Sequence, residues 1–274
     1  MLEIPESKTI GSQAARTLAK KRILDVVTAS SPHKFAFYNG DPDEYAKLLA
    51  GKEIISAKGH GMFVDLHCAD DVTIITGEGT NARFYSSFEQ RPEKHQLLIL
   101  FDDGSCVAFT VAMYGLIWAC RGSFDNPYHK VSLKSISPLD GIFDESYFDR
   151  ICENTPRNIS MKALLATEQR IPGLGNGVLQ DILFNAGIHP RQKKSALSDS
   201  GKSQLFNSLK TTLKQMTEQG GRDTERDLFG QAGGYKTVLS KNTLNNPCPG
   251  CGGSIRKEPY LGGAVYFCPV CQKI

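Results

Sequence analysis

Four cysteines stand in two tight pairs, Cys248-Pro-Gly-Cys251 and Cys268-Pro-Val-Cys271, with 16 residues between them. A C-x2-C knuckle brings two thiolates to one ion from a tight turn, and two knuckles make a closed tetrahedral four-sulfur zinc site. A closed site leaves no coordination position for a substrate, so the ion shapes the chain and does not catalyse. It also drives local folding, since structural zinc supplies about 10–16 kcal/mol of apparent binding energy in finger peptides. Residues 255–260 and 264–267 read as strands around Leu261-Gly262-Gly263, which predicts a zinc-clipped β-hairpin. Two disulfides are the alternative, but they need an oxidising compartment that nothing else in the chain suggests.

A second chemical pattern is Ile171-Pro172-Gly173-Leu174-Gly175-Asn176-Gly177. A G-x-G-N turn entering a helix lines up backbone N–H groups at a helix N-terminus, a ready phosphate site. Asn176 is expected to cap the helix and to offer its amide to a backbone phosphate. Taken alone this pattern is common in turns between helices. Its company sharpens it: Lys162 lies upstream, and Ala186-Gly187-Ile188-His189-Pro190 marks a helix stop and a second turn downstream.

The elements that position these groups follow from the hydrophobic period. Residues 1–22 open with an irregular segment at Pro5 and continue as a polar helix over 12–21. Short strands follow at 23–28, 34–38, 53–58, 62–68, 72–76, 96–101, 106–110 and 115–120, separated by turn signals such as Asp102-Asp103-Gly104. That spacing argues a β-sandwich or barrel. Beyond Pro127 the period becomes helical, over 144–152, 160–166, 177–186, 199–219 and 223–228. Three units result: 1–125, 126–240 and 241–274.

With 274 residues, 40% hydrophobic and 22% charged, the composition is that of a globular protein with a sizeable core. No basic-then-apolar leader opens the sequence, and no stretch approaches the roughly 18 apolar residues of a membrane helix. A cytoplasmic protein is expected, with Cys68, Cys106, Cys120 and Cys152 as reduced core thiols. The net charge of +3 is a weak argument for a polyanionic partner. A modest basic excess over 193–226 fits either a basic face or an ordinary solvated helix surface.

With its parts in this order, the chain resembles the formamidopyrimidine-DNA glycosylase / endonuclease VIII family. The resemblance runs nearly end to end. Met1-Leu2-Glu3-Ile4-Pro5-Glu6 is similar to the family's M-P-E-L-P-E start, and Pro92-Glu93-Lys94-His95 to its P-E-K-H stretch. Lys162 through Asn176 to Pro190 matches its helix–two-turns–helix segment without a gap, and Cys248 through Gln272 matches its zinc hairpin. Such proteins bind damaged duplex DNA, flip a lesion into a pocket and cut the glycosidic bond. Their N-terminal proline amine attacks the sugar and forms a Schiff base, while a neighbouring carboxylate moves protons. The resemblance therefore implies an α+β fold with an N-terminal β-sandwich, a helix–two-turns–helix domain and a C-terminal zinc hairpin. It implies damaged or distorted double-stranded DNA as partner, structural zinc as the one cofactor, and a monomer away from membranes.

The departures bear on chemistry. Leu2 stands where the family has its nucleophilic proline. Leucine disfavours removal of the preceding methionine, so the free amine is expected on Met1. Candidate catalytic positions are thus Met1, Leu2, Glu3 and Glu6. Glu3 has the alternative of a solvated carboxylate, and Glu6 that of capping a backbone turn. His60 stands where the family has a lysine near the sugar and phosphate, and is expected to face solvent or a phosphate. Gly79 replaces the wedge methionine, and Gly263 aligns with the hairpin arginine. Met113 and Tyr114 occupy a shortened void-filling loop and could wedge between bases. Lys162, Asn176, Arg256 and Lys257 complete the expected DNA-contacting set. Three readings follow: a glycosylase with altered chemistry, a lesion- or distortion-recognising DNA-binding protein that no longer cuts, and a structural module that keeps only the scaffold.

Overall fold

The structure, a computed structural model, describes residues 2–274. Helix α1 (Ile4–Thr17) opens it. It replaces both the irregular Pro5 segment and the helix expected over 12–21. Pro5 lies in the first turn, where a missing N–H costs nothing, and Lys20, at φ 68°, turns the chain away before β1. Next come β1 (Ile23–Thr28), β2 (Ala36–Phe37), α2 (Tyr45–Leu49), β3 (Ile54–His60), β4 (Phe63–Cys68), β5 (Val72–Thr76), β6 (Thr80–Tyr85), β7 (Leu97–Phe101), β8 (Cys106–Val111) and β9 (Gly115–Arg121). The strands form two sheets, ordered β1-β7-β8-β6 and β2-β9-β5-β4-β3, with only the β2–β9 pair parallel. Their facing side chains, among them Ile23, Leu66, Ile74, Ile99, Phe109 and Ile117, form one core, and this is the expected sandwich. Strand β6 and helix α2 are additional to the sequence expectation; the polar run Asn81-Ala82-Arg83 hides the strand period of β6.

A helical half follows: α3 (Pro127–Lys134), α4 (Glu145–Glu153), α5 (Met161–Ala166), α6 (Asn176–Asn185) and α7 (Asp199–Glu218). Side-chain caps start α4, α5 and α7, where Asp144 accepts from Tyr147 N, Ser160 from Ala163 N and Ser198 from Gly201 N. Helix α3, which the sequence did not announce, begins at Pro127 with Asn126 capping His129 N. The helix expected over 223–228 does not form. Asp227 Oδ1 instead accepts from Phe229 N and Gln231 N, so its side chain captures the backbone as a turn. The chain ends in the expected hairpin, β10 (Arg256–Tyr260) against β11 (Gly263–Phe267), paired from Arg256↔Phe267 to Tyr260↔Gly263. No helix among the described residues is long and apolar enough to cross a membrane.

Helix α1 joins the halves. Leu2, Ile10, Ala14 and Leu18 point into the sandwich core, whereas Ile4 enters the helical core with Leu174, Val178 and Leu179. The helix lies directly on β3 because Gly11 and Gly59 face each other: a Cβ on Gly11 would fall 2.2 Å from Gly59 N, and one on Gly59 would fall 1.8 Å from Ser7 O. Backbone cannot yield as a flexible side chain does. Gly59→Ala is therefore expected to cost about 3 kcal/mol or more, read as a lower midpoint in urea unfolding. An unchanged midpoint would mean that α1 does not sit this close to β3.

Candidate functional site

The N-terminal acids lie inside the protein, at the junction of its halves. Glu3, Glu6 and Arg222 are all buried. Glu6 grips Arg222 as a fork, with Oε1 accepting from Nε at 3.0 Å and Oε2 from Nη2 at 2.9 Å, and it also accepts from Arg222 N at 3.1 Å. Glu3 Oε2 lies 3.5 Å from Arg222 Nη1. Both Glu3 oxygens also cap α6, accepting from Gly177 N at 2.9 Å and Val178 N at 2.8 Å. The partial positive charge at the start of α6 offsets the second carboxylate of the group. Although burial disfavours its charge, Glu3 and Glu6 raise the Arg222 pKa. Burial likewise pushes the Glu3 carboxyl up, against the pull of Arg222 and the two amides.

This arrangement revises the reading of the glycine-rich turn. Gly175 and Gly177 leave room for internal groups: a Cβ on Gly175 would lie 2.5 Å from Glu3 Oε1, and one on Gly177 1.6 Å from Arg222 Nη1. The first free amides of α6 are satisfied by Glu3, so they do not form an open phosphate cradle. Nor does Asn176 cap the helix. Gly175 occupies the cap position, and Asn176 Nδ2 donates to Ala264 O of the hairpin at 2.8 Å.

The hairpin docks on this same turn. Lys162 Nζ donates to Tyr260 O at 2.6 Å, and Gln180 reaches Ala264 O and Tyr266 N. Arg191 pairs with Glu258 and stacks 4.2 Å over the Tyr260 ring. Lys162 Nζ and Asn176 Nδ2 converge, each 3.5 Å from where a Cβ on Gly263 would stand. Burial pushes the Lys162 pKa down, and Asn176 Oδ1 is buried without a hydrogen-bond partner. Behind the hairpin the four cysteine sulfurs lie within 4.8 Å of one another. Cys248 and Cys271 Sγ are 3.7 Å apart, and Cys251 and Cys268 Sγ 3.5 Å. Tetrahedral zinc at about 2.3 Å from each sulfur sets neighbouring sulfurs about 3.8 Å apart, whereas a disulfide needs about 2.05 Å. The donor set and spacing fit zinc.

Other candidates divide between surface and interior. Met113 and Tyr114 are exposed at 69% and 38% on the β8–β9 turn, and Arg256 and Lys257 are exposed on β10. Leu2 is 6% exposed, a core side chain. Met1 lies outside the described residues. His60 faces neither solvent nor an open groove: it is buried beside Asp65, His129 and Ser132. Its place at the end of β3, under α3, explains this, and α3 was not legible in the sequence. The cavity beside Leu2 and Glu6, lined also by Thr80, Asn81 and Arg83, is only about 10 Å³, room for about one water.

Residues 135–227 match the family model described as the formamidopyrimidine-DNA glycosylase H2TH domain. The formamidopyrimidine-DNA glycosylase of Geotalea daltonii is 29% identical, with 100% of both chains covered. That of Pelotomaculum thermopropionicum is 26% identical at the same coverage. Over residues 135–227 the chain carries an H2TH domain of the formamidopyrimidine-DNA glycosylase type, and it is similar to formamidopyrimidine-DNA glycosylases along its whole length. Among solved structures, Lactococcus lactis Fpg in complex with DNA containing an abasic site is similar in fold, with a TM-score of 0.83 at 23% identity, covering 99% of this chain and 100% of that one. The MutM (Fpg) protein from Thermus thermophilus gives 0.81 at 22% identity, with 98% of each chain covered. The family model includes Arg222, which sequence reasoning passed over as one of several basic residues. Its signal was the Gly220-Gly221 pair that ends α7 and turns Arg222 inward.

Two outcomes follow. Arg222→Met leaves Glu3 and Glu6 buried without their cation and is expected to cost about 3–5 kcal/mol at neutral pH. Without the pull of Arg222, burial pushes the Glu3 carboxyl further up in the folded state, so the folded variant binds more protons as pH falls. The deficit should shrink in acid, which denaturant titrations at pH 7 and pH 5 would check; an equal deficit at both would contradict the ion group. Zinc removal by a chelator should abolish amide-exchange protection across β10 and β11 while leaving β3–β5 protected. Protection unchanged in chelator would dismiss the metal.

Proposed function

We propose that this chain is a zinc-containing protein of base-excision-repair type that binds damaged or distorted double-stranded DNA. The observation that carries the reading is the meeting of Lys162 Nζ and Asn176 Nδ2 at the hairpin turn. An ammonium has three N–H donors and an amide two. One carbonyl, Tyr260 O or Ala264 O, accepts from each. The remaining donors, with Arg256 and Lys257 exposed on the adjacent strand, suit a phosphodiester backbone. Zinc held by Cys248, Cys251, Cys268 and Cys271 would supply no reaction chemistry; it would keep the hairpin turn over α6. Met113 and Tyr114 supply exposed apolar groups that could enter a base step.

The chemistry is proposed to be altered from that of the family. Leu2 takes the place of the nucleophilic proline, and its side chain is committed to the core. Glu3 is the remaining candidate for activating water, but two amides and Arg222 occupy its oxygens. These observations favour a second reading, recognition of a lesion without cutting, over an AP lyase. If base excision occurs, strand cleavage is expected to be weak or absent.

The test is binding and trapping on one duplex carrying an abasic site. Affinity should fall steeply with salt. Asn176→Ala should weaken binding to all duplexes alike by about 1.5 kcal/mol, roughly tenfold in Kd. Selective loss for one sequence would contradict the phosphate role. Borohydride should trap no covalent product while binding stays tight. A trapped product, located by intact mass and peptide mapping, would establish an amine nucleophile and sink the non-cutting reading.

A further inference from the structure

His60 closes β3, Asp65 lies within β4, and His129 stands in the first turns of α3. None of them takes part in the cysteine cluster or the Glu3–Arg222–Glu6 group. His60 Nε2 is 3.0 Å from Asp65 Oδ2, and His129 Nε2 is 2.9 Å from Oδ2 and 3.1 Å from Oδ1 of the same carboxylate. All three residues are buried. Phe63 and Phe124 wall the cluster, with ring centroids 5.1 and 4.8 Å from that of His129.

We propose that His60, Asp65 and His129 form a second metal site, for a divalent first-row transition ion such as zinc, which staples α3 to the β3–β4 hairpin. Two imidazole nitrogens and a carboxylate are suitable ligands for such ions. Their ligand atoms all lie within 4.8 Å of one another. An ion about 2.1 Å from each would set tetrahedral neighbours about 3.4 Å apart. The present 2.9–3.1 Å separations therefore need to open by a few tenths of an ångström, within reach of small side-chain rotations. His60 Nδ1 is held by Ser132 Oγ at 2.9 Å. Metal-bound imidazoles are fixed in this way, the second nitrogen anchored so that the first faces the ion.

Charge points the same way. Among the described residues no lysine or arginine pairs with Asp65; both of its ion partners are imidazoles. With neutral imidazoles the buried carboxylate lacks a compensating cation, and a divalent ion supplies one. A neutral imidazole that binds an ion through Nε2 carries its one proton on Nδ1, which for His60 would donate to Ser132 Oγ. His60 and Ser132 also line a cavity of about 120 Å³, shared with Lys8, Lys58 and Asp140. That is room for several waters beside His60, while Asp65 and His129 lie outside its lining.

The test uses tag-free, full-length protein dialysed to equilibrium at micromolar free Zn2+ or Co2+. Two metal equivalents per chain are expected, against one for His129→Ala and for Asp65→Asn. With Co2+, the four-cysteine site gives a sulfur-to-metal charge-transfer band, and the second site should add weaker d–d bands of a nitrogen and oxygen ligand set. His129→Ala should lose the latter and keep the former, which also shows that the variant is folded. One equivalent on the wild-type chain overturns the proposal without any variant. So does a second equivalent that persists when Asp65→Asn and His129→Ala are combined. Neither result depends on DNA binding, so this proposal and the DNA reading fail separately.

Discussion

The buried group of Glu3, Glu6 and Arg222 is the interaction on which the rest depends. Two carboxylates and a guanidinium taken from water are costly unless every oxygen and N–H finds a partner. Here the partners come from three places: the entry to α1, the start of α6 and the turn after α7. The sandwich and the helical half can meet in few other ways without stranding a charge. Ile4 N donating to Gly173 O at 3.0 Å, and the adjacent placement of Leu2 and Ile4 in different cores, fix the same junction.

That constraint explains the glycines of the α6 turn. A loop of this kind resembles an anion cradle from sequence, and it is one, but the anion is internal. The free amides meet Glu3, and the missing side chains make space for Glu3 and Arg222. Lys162, buried on α5, and Asn176 of the turn reach the hairpin instead. Zinc, if bound, acts at one remove, by holding the strands whose carbonyls those two residues grip.

A second polar knot, of His60, Asp65 and His129, fastens α3 to the far end of the β3–β4 hairpin. The same hairpin turn packs toward the α6 turn, since a Cβ on Gly173 would fall 2.2 Å from the carbonyl carbon of Gly61. Both knots therefore bear on the position of one loop, from two sides of the junction.

Elements whose signals are local could be read from the chain before any fold was known. The knuckle spacing specified the hairpin because two residues between cysteines is a property of a tight turn. Alternating apolar residues placed most sandwich strands within a residue or two of their ends, and Ser198 announced its helix as a cap. Whatever depends on distant partners emerged only when the halves came together. Glu3 looks like a free terminal acid until α6 and Arg222 close around it, and His60 between two glycines looks exposed until α3 covers it. Helix α3 carried too little apolar period to be read, and β6 is polar enough to pass for a loop. Burial of a charged or titratable side chain depends on chain segments up to some two hundred residues away, Glu6 and Arg222 among them, and no local pattern encodes that.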